Sequence, residues 1–319
     1  MVYPLQENRV FRTYLGGKHI DEFLGKDTGE DTHFPEDWTA SVVKAFNPGR
    51  EDITEGYGRI GDGREVRALE GAELRCLVKL LDAAERLVIQ VHPTREFAAE
   101  YFHSEYGKTE CWYFLDCDED ACVYIGFKEG ITAERWREVF DCQDIDTMLG
   151  MLHRIPVKKG DCVFVDGGVP HAIGKGCFMV EIQEPTDLMG VTERQTPSGR
   201  VLPESKLHGG IGIDNMMKMF CYEGKSEAET VRRHRLSAIP TSEGVSRLVG
   251  ADRTEKFALL ELTEGARVCP DRQTGIVIVT EGEGALNGVP VKRGDRVLYL
   301  RERALSLTGE APCKAVLCC

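Results

Sequence analysis

The sequence predicts a mainly β protein that folds as two jelly-roll barrels (double-stranded β-helices) with a small helical insertion. Most of the chain consists of short apolar segments rich in Val, Ile, Phe and Tyr and bounded by Gly, Asp or Pro, which is the pattern of β-strands. A turn with two basic residues followed by Gly-Asp precedes an apolar strand twice, at Lys158–Asp161 and at Lys292–Asp295. This repeat indicates two related barrels, one in each half of the chain.

The predicted strands are short, and turn-forming residues separate them. Those of the first half are Leu87–His92, Glu110–Leu115, Ala121–Gly126, Asp161–Val165 and Cys177–Gln183, and those near the end are Thr274–Glu281 and Val297–Leu300. We therefore expect a first domain of residues 1–235 and a second β domain of residues 236–319.

Two regions interrupt the strand pattern. Apolar residues recur at helical spacing over Thr132–Leu152, where Thr132 is a suitable N-cap and a break is expected near Asp144. A second helical region is predicted over Ile211–Val231, and both regions belong to the first domain. The segment Arg194–Gly210 is rich in Pro and Gly and is predicted to be a long loop.

Composition and charge argue against several classes of partner. The net charge of −13 disfavours nucleic acid and anionic membranes, because phosphate groups attract basic surfaces. No run of about eighteen apolar residues is available to cross a bilayer, and the first residues lack the basic and apolar pattern of a signal peptide. The 12 cysteines are scattered without Cys-x-x-Cys spacing, so we expect reduced thiols and a cytoplasmic protein.

Four residues form a candidate metal site. Gln90 and His92 lie two positions apart in a predicted strand, so both side chains leave the same face. Glu110 opens the next predicted strand, and His171 follows a Gly-Gly-Val-Pro turn. One amide, two imidazoles and one carboxylate suit a borderline divalent ion such as zinc and leave room for water or substrate.

The residues of several motifs resemble those of type I phosphomannose isomerases, which are cupins. The motifs are Ile89–Pro93, Gly107–Tyr113, Val169–Ile173 and Val180–Glu184, preceded by a Trp-x-x-Ser at Trp38 and Ser41. The resemblance implies two cupin barrels and one zinc ion per chain, held by Gln90, His92, Glu110 and His171. The second barrel is expected to bind no metal, because no histidine follows His234.

The resemblance also implies an aldose–ketose isomerase that interconverts mannose 6-phosphate and fructose 6-phosphate, a small sugar phosphate, through a cis-enediol. Such a reaction needs a base that works near neutrality, a donor for the developing oxyanion and an anchor for the phosphate. Lys108 shares the strand face of Glu110, so it is the candidate donor. Glu181, within the predicted strand Cys177–Gln183, is the candidate base.

The phosphate site departs from the family pattern. The resemblance leads us to expect an arginine at the position that Val191 occupies. Arg194, three residues later, is the candidate catalytic arginine in its place. Ser41, Arg200 and Lys206 are the candidate groups for binding the substrate and its phosphate.

Two alternatives to this function stay open. One is a related metal-dependent isomerase of another sugar, which the departure at Val191 favours. The other is a non-catalytic, regulatory cupin that binds a sugar. The complete set of four candidate ligands weighs against it, since a protein without turnover has no physical need to retain each of them.

Overall fold

A computed structural model describes residues 1–27 and 29–319, and within these residues the chain forms four antiparallel sheets and a few short helices. The strands are β1 (Val2–Pro4), β2 (Arg9–Val10), β3 (Glu36–Thr39), β4 (Leu77–Ala83), β5 (Gln90–Val91), β6 (Glu110–Cys117), β7 (Cys122–Phe127), β8 (Leu152–Pro156), β9 (Cys162–Val165), β10 (His171–Ile173), β11 (Cys177–Gln183), β12 (Gly190–Val191), β13 (Arg235–Leu236), β14 (Ile239–Ser242), β15 (Val245–Val249), β16 (Leu259–Thr263), β17 (Arg267–Val268), β18 (Thr274–Glu281), β19 (Glu283–Leu286), β20 (Val289–Lys292), β21 (Arg296–Leu300), β22 (Leu305–Gly309) and β23 (Lys314–Cys318). The helices are α1 (Lys18–Phe23), α2 (Arg95–Phe102), α3 (Ala133–Cys142), α4 (Ile145–Gly150), α5 (Glu204–His208), α6 (Ile213–Met217) and α7 (Glu227–His234), with a 3₁₀ turn at Val66–Ala68. The predicted mainly β fold is confirmed.

The sheets form two pairs, which we call the first and the second sheet pair. The first combines a seven-stranded sheet, in the order β13-β9-β6-β11-β4-β3-β2, with a five-stranded sheet, β12-β5-β10-β7-β8. The second combines a seven-stranded sheet, β1-β21-β18-β23-β16-β15-β14, with a four-stranded sheet, β17-β22-β19-β20. Since most strands are flanked by apolar side chains on a buried face, each pair encloses its own core.

A third apolar core lies between the two sheet pairs. It joins residues of β6 and β11, such as Tyr113 and Val180, to residues of β18 and β21, such as Ile278 and Leu298. The two seven-stranded sheets therefore cover each other on their outer faces. Their central strands are therefore covered on both faces, which explains their nearly continuous apolar sequences. In β11 all seven residues are buried.

The first strand of the chain belongs to the second sheet pair. Val2, Tyr3 and Pro4 of β1 pair with Tyr299, Leu298 and Val297 of β21, respectively. The amino-terminal residues thus fill an edge of the sheet formed by the end of the chain. The division into residues 1–235 and 236–319 stays a prediction.

The helical region predicted over residues 132–152 is confirmed, together with its break. Thr132 accepts a hydrogen bond from the Arg135 amide at the start of α3, and Asp144 accepts one from the Thr147 amide at the start of α4. The region predicted over residues 211–231 divides into α6 and α7, and α7 continues to His234. Gly224 lies between these two helices, where a β-carbon would come 2.2 Å from the Lys128 carbonyl oxygen.

Two local predictions need correction. The strand expected over Leu87–His92 contains only Gln90 and Val91, because the Ile89 amide donates instead to the Glu193 carboxylate at 2.6 Å. The segment expected to be a loop over residues 194–210 contains the short helix α5, which follows Pro203 and ends at Gly209 in the left-handed region.

The cysteines are free thiols throughout the described residues. Most are buried, among them Cys318 and Cys319 at the end of the chain, which pack in the cores beside β18 and β21. None of the helices within residues 1–27 and 29–319 has the length and apolar character needed to span a bilayer.

One buried ion pair joins the two sheet pairs. Arg296 of β21 donates to the Asp37 carboxylate of β3 at 2.6 Å, and Asp37 also accepts from the Asn8 amide at 3.1 Å. Asp37 is fully buried. Burial raises the pKa of Asp37, although Arg296 opposes this shift.

Replacing Arg296 by Met is expected to leave the Asp37 carboxylate buried without its cation and to lower the free energy of unfolding by about 3–5 kcal/mol. Arg135→Met removes an exposed pair with Glu138 on α3 and is expected to cost less than about 1 kcal/mol. Urea unfolding of both variants measures the difference. Equal losses would show that the Arg296–Asp37 pair adds nothing beyond a surface ion pair.

Candidate metal centre and active-site cavity

The candidate metal ligands come from the two facing sheets of the first sheet pair. Gln90 in β5 lies opposite His171 in β10, and on its other side it lies opposite Val191 in β12. Glu110 begins β6 in the larger sheet, where it lies opposite Val165 and Gln183. The alternation of strand residues directs Glu110 toward the five-stranded sheet.

The two histidines and the glutamate meet inside the first sheet pair. The Glu110 carboxylate lies between the imidazoles, with one oxygen 3.3 Å from His92 Nε2 and the other 3.2 Å from His171 Nε2. One ligand atom from each of the three residues lies within 4.8 Å of the others, and all three residues are buried. These separations allow a single ion to contact all three side chains.

Backbone carbonyls orient both imidazole rings. The Nδ1 atom of His92 lies 3.1 Å from the Leu188 carbonyl oxygen, and that of His171 lies 2.9 Å from the Val169 carbonyl oxygen. Because a carbonyl oxygen only accepts, each Nδ1 carries the proton and each Nε2 keeps a free lone pair, which in His92 faces the Lys108 ammonium at 2.8 Å. This is the tautomer that a metal ligand requires.

The protonation states also suit a divalent cation. Burial and the neighbouring Lys108 ammonium lower the pKa of His92 to about 3, so its ring is neutral at pH 7. Burial opposes ionisation of Glu110, but the Lys108 ammonium opposes this effect, and the pKa of Glu110 lies well below its usual value. His171 Nε2 is buried without an aligned hydrogen-bond partner, and a metal ion would satisfy it.

A cavity with many charged side chains lies beside this group of residues. Its lining includes the charged residues Arg12, Glu36, Lys79, Lys108, Glu181, Asp187 and Lys206, as well as Gln90 and Val191. The Lys108 ammonium reaches into the metal group, 2.8 Å from His92 Nε2 and 3.1 Å from Glu110. The cavity therefore connects potential metal ligands with potential acids, bases and anion-binding groups.

Glu181 faces this cavity from the middle of β11. It lies opposite Lys79 of β4, and the Lys79 ammonium donates to its carboxylate at 2.6 Å. Burial raises the pKa of Glu181, and Lys79 opposes the shift. Such a buried carboxylate beside one cation has the properties of a general acid–base group.

A second buried charge network, which no sequence pattern indicated, forms another wall of the cavity. Arg12 donates to Glu36 at 3.0 Å and through both terminal nitrogens to Asp187 at 3.1 and 3.2 Å. Glu36 also accepts from the Tyr14 hydroxyl at 2.7 Å and from the Trp38 indole at 2.6 Å. Only the neighbouring Trp-x-x-Ser motif signalled this region, because Arg12 and Asp187 lie in loops without strand periodicity.

Lys206 lines both this cavity and a second one, whose lining also includes Lys44, Phe46 and Phe102. Its side chain is buried, and within the described residues its ammonium makes one long hydrogen bond, 3.3 Å to the Phe46 carbonyl oxygen. Burial lowers the pKa of Lys206 to about 8. Its charge is thus less fully neutralised than those of Arg12 and Lys79.

The structure does not bring three of the sequence-predicted site residues to the cavity. Arg194 is exposed, and its guanidinium lies 5.1 Å from the ring centre of Phe140. Arg200 is likewise exposed and lies over Phe11 at 5.1 Å. The Ser41 hydroxyl turns back to accept from the Val43 amide of its own loop at 3.0 Å.

Comparison with known proteins identifies relatives of one kind. No family model matches the chain. It is 30% identical over 236 residues to mannose-6-phosphate isomerase ManA of Bacillus subtilis, an alignment that covers 72% of this chain and 70% of that protein. It is 42% identical over 111 residues to a mannose-6-phosphate isomerase of Streptococcus mutans, which covers 35% of this chain and 34% of that protein.

Solved structures match the entire fold. The mannose 6-phosphate isomerase from Bacillus subtilis aligns over 99% of both chains with a TM-score of 0.75 and 22% identity. A variant of phosphomannose isomerase from Salmonella typhimurium aligns over 99% of this chain and 98% of that one, with a TM-score of 0.72 and 15% identity. These comparisons confirm the predicted class, a sugar isomerase, and the chain belongs to the mannose-6-phosphate isomerase family.

Proposed function

We propose that the protein is a zinc-dependent aldose–ketose isomerase that interconverts mannose 6-phosphate and fructose 6-phosphate through a cis-enediol intermediate. The observation that carries this proposal is the buried group His92–Glu110–His171, which adjoins a cavity containing Glu181 and Lys108. Membership of the isomerase family supports the reaction class.

His92, Glu110 and His171 would hold the zinc ion, and Gln90 would complete the set from its place opposite His171. When bound, zinc supplies a Lewis acid that polarises a sugar oxygen. The neutral rings and the single carboxylate leave a net positive charge for a divalent ion, which favours binding of an anionic or oxygen-rich substrate.

Glu181 would move the proton. As a carboxylate it removes the proton from C2 of mannose 6-phosphate, and the resulting acid returns a proton to C1 of the enediol to form the ketose. Lys79, at 2.6 Å, would hold the carboxylate in place and balance its charge within the first sheet pair. Lys108 would donate a hydrogen bond to the oxygen that becomes negative as the proton leaves C2.

Lys206 would bind the phosphate group. Its buried ammonium makes one long hydrogen bond to the part of the chain that the structure describes, so donors remain for phosphate oxygens. It lies where the second cavity, with Lys44 in its lining, joins the first. We infer no phosphate-binding or catalytic role for Arg194, Arg200 or Ser41.

A second candidate is an isomerase of another sugar. Val191 is buried and lines the cavity at the position where the family resemblance leads us to expect an arginine. The loss of that cation alters the part of the cavity next to Gln90, so the preferred sugar could differ from mannose. In the first case the ligand is a small sugar phosphate, and in the second it is another phosphorylated or a free sugar. We place the enzyme in the cytoplasm, which the free cysteines support.

His171→Ala is expected to abolish stoichiometric zinc binding. It is expected to lower kcat/KM by more than about 100-fold, which is the upper range for losing a residue that only contacts a metal ligand. The measurements are zinc content by elemental analysis and an assay that couples fructose 6-phosphate formation to a dehydrogenase. His103→Asn alters an exposed histidine and is expected to leave zinc content and kcat/KM unchanged. Zinc in the unaltered protein without turnover of mannose 6-phosphate would favour the second candidate.

Glu181→Gln is expected to lower kcat by about 10²–10⁴-fold, because the amide cannot accept the C2 proton. Zinc content is expected to stay the same, since the ligands are unchanged. Exchange of the C2 hydrogen of the substrate with deuterated solvent provides a direct measure of proton removal. Retention of that exchange in Glu181→Gln would assign the base to another residue.

Lys206→Met is expected to raise KM for mannose 6-phosphate by about 10–100-fold, because the substrate would lose one hydrogen bond to a charged group. The change in kcat is expected to be smaller. Since only the protonated amine binds phosphate, KM of the unaltered enzyme is expected to rise as pH increases through about 8. The groups that shift this pKa besides burial are Asp187, Arg12, Glu36 and Lys108.

Arg194→Met serves as the matched control, because it removes a surface cation near the same loop. Its KM and pH profile are expected to equal those of the unaltered enzyme. If Arg194→Met raises KM and Lys206→Met does not, the assignment of the phosphate site to Lys206 is wrong.

A further inference from the structure

One lysine of the second sheet pair reaches the edge of the candidate metal centre. Lys256 lies between β15 and β16, and its ammonium donates to the Thr109 hydroxyl at 2.6 Å. The same ammonium lies 3.0 Å from the Glu184 carboxylate. Its partners, both in the first sheet pair, are buried.

Those two partners adjoin the residues that form the metal group. Thr109 precedes Glu110, and Glu184 follows Gln183, which lies opposite Glu110 in the sheet. Thr109 and Glu184 also bind each other twice. The Thr109 amide donates to the Glu184 carboxylate at 3.1 Å, and the Glu184 amide donates to the Thr109 carbonyl at 3.1 Å.

The alternation of β6 explains how Lys256 acts on the inner face from outside. Cys111 and Tyr113 lie in the core between the sheet pairs, whereas Trp112 and Phe114 lie in the core of the first sheet pair. Thr109 shares the outer face of Cys111 and Tyr113. A bond that fixes Thr109 from outside therefore also fixes the backbone that directs Glu110 inward.

The contact between Lys256 and Glu184 matters energetically because it pairs a buried negative charge with a positive one. The Glu184 carboxylate is fully buried, and a buried carboxylate requires compensating cations. Besides Lys256, it has Arg95, whose Nε donates at 2.6 Å but whose side chain is 44% exposed. Without Lys256, Glu184 is left with one solvent-exposed cation, and the Thr109 hydroxyl loses its donor.

We propose that Lys256 is a positioning residue for the metal centre, through which the second sheet pair holds Glu110 in its ligating orientation. The inference rests on the proposed zinc site. It assigns to the second sheet pair a role in the chemistry, although the candidate ligands belong to the first. Outer partners of metal ligands restrict ligand orientation and thereby raise metal affinity.

The test compares zinc affinity between variants by competition with a chromophoric chelator. Lys256→Met is expected to weaken zinc binding by about 10–100-fold. Lys256→Arg keeps the charge and donors and is expected to restore most of the affinity. Thr109→Val removes the hydroxyl at nearly constant volume, and it provides a second variant, with a smaller loss expected, if Lys256→Met does not fold.

Tyr113→Phe is the matched control, because it also removes a bond between the sheet pairs. The Tyr113 hydroxyl donates to Glu261 at 2.6 Å from the same face of β6, farther from the metal group. This variant is expected to lower the thermal midpoint of the zinc-free protein as Lys256→Met does, but to leave zinc affinity unchanged.

The outcomes separate this inference from the proposed function. If the unaltered protein binds zinc and Lys256→Met binds it equally well, the positioning role is wrong while the zinc site stands. If Tyr113→Phe loses as much affinity as Lys256→Met, the effect comes from general loosening between the sheet pairs and the inference also fails. If the unaltered protein binds no zinc, the proposed zinc-dependent function is wrong, and the positioning role of Lys256 is wrong with it.

Discussion

The constraint on which this structure depends is that an ionised Glu110 has to be kept in the buried space between the two sheets of the first sheet pair. A buried carboxylate without partners would take up a proton or destabilise the fold by several kcal/mol. Here two imidazoles and the Lys108 ammonium surround it, and backbone carbonyls fix the proton on the far nitrogen of each ring. The Lys108 ammonium compensates the carboxylate, while two ring lone pairs and the negative charge converge on one point, so a cation bound there would complete the charge balance.

The requirement for paired charges recurs around the cavity and explains its composition. Glu181 is paired with Lys79 across adjacent strands, and Glu36 accepts from Arg12 and two aromatic side chains. Because these charges neutralise one another, Lys206 remains as the buried cation with the fewest partners within the cavity lining described here. An anionic substrate would neutralise the positive charge of Lys206, whereas a neutral sugar would leave that charge without a partner of opposite sign. The specificity for a phosphorylated sugar would then follow from the pairing pattern and not from the net charge of the chain, which is −13.

The layered architecture supplies the rigidity that such pairs need. Two seven-stranded sheets pack through a continuous apolar core, and this core holds the outer face of β6 while the inner face carries Glu110. Ion pairs cross the same boundary at Asp37 and at Glu184, and both of these acidic residues are fully buried. Replacing a buried ion pair by apolar residues of the same volume is often neutral or stabilising, whereas removing one partner alone is strongly destabilising. The relative placement of the sheet pairs is therefore coupled to the geometry of the active site.

Local features of the sequence determined the mainly β class, the limits of β11 and β18, the capped helices α3 and α4, and the motifs that identify the family. Each of these depends on residues close together in the chain, where periodicity, capping and turn chemistry act directly. Tertiary structure alone decided which charges meet. The Glu193 carboxylate shortens β5 from a distant loop, and Arg12 reaches Asp187 far along the chain. Arg194 lies over Phe140 of α3, away from the cavity, although it is close in sequence to the expected position. Contacts between distant segments depend on how whole sheets pack, and no local pattern in the chain encodes the distance between two loops.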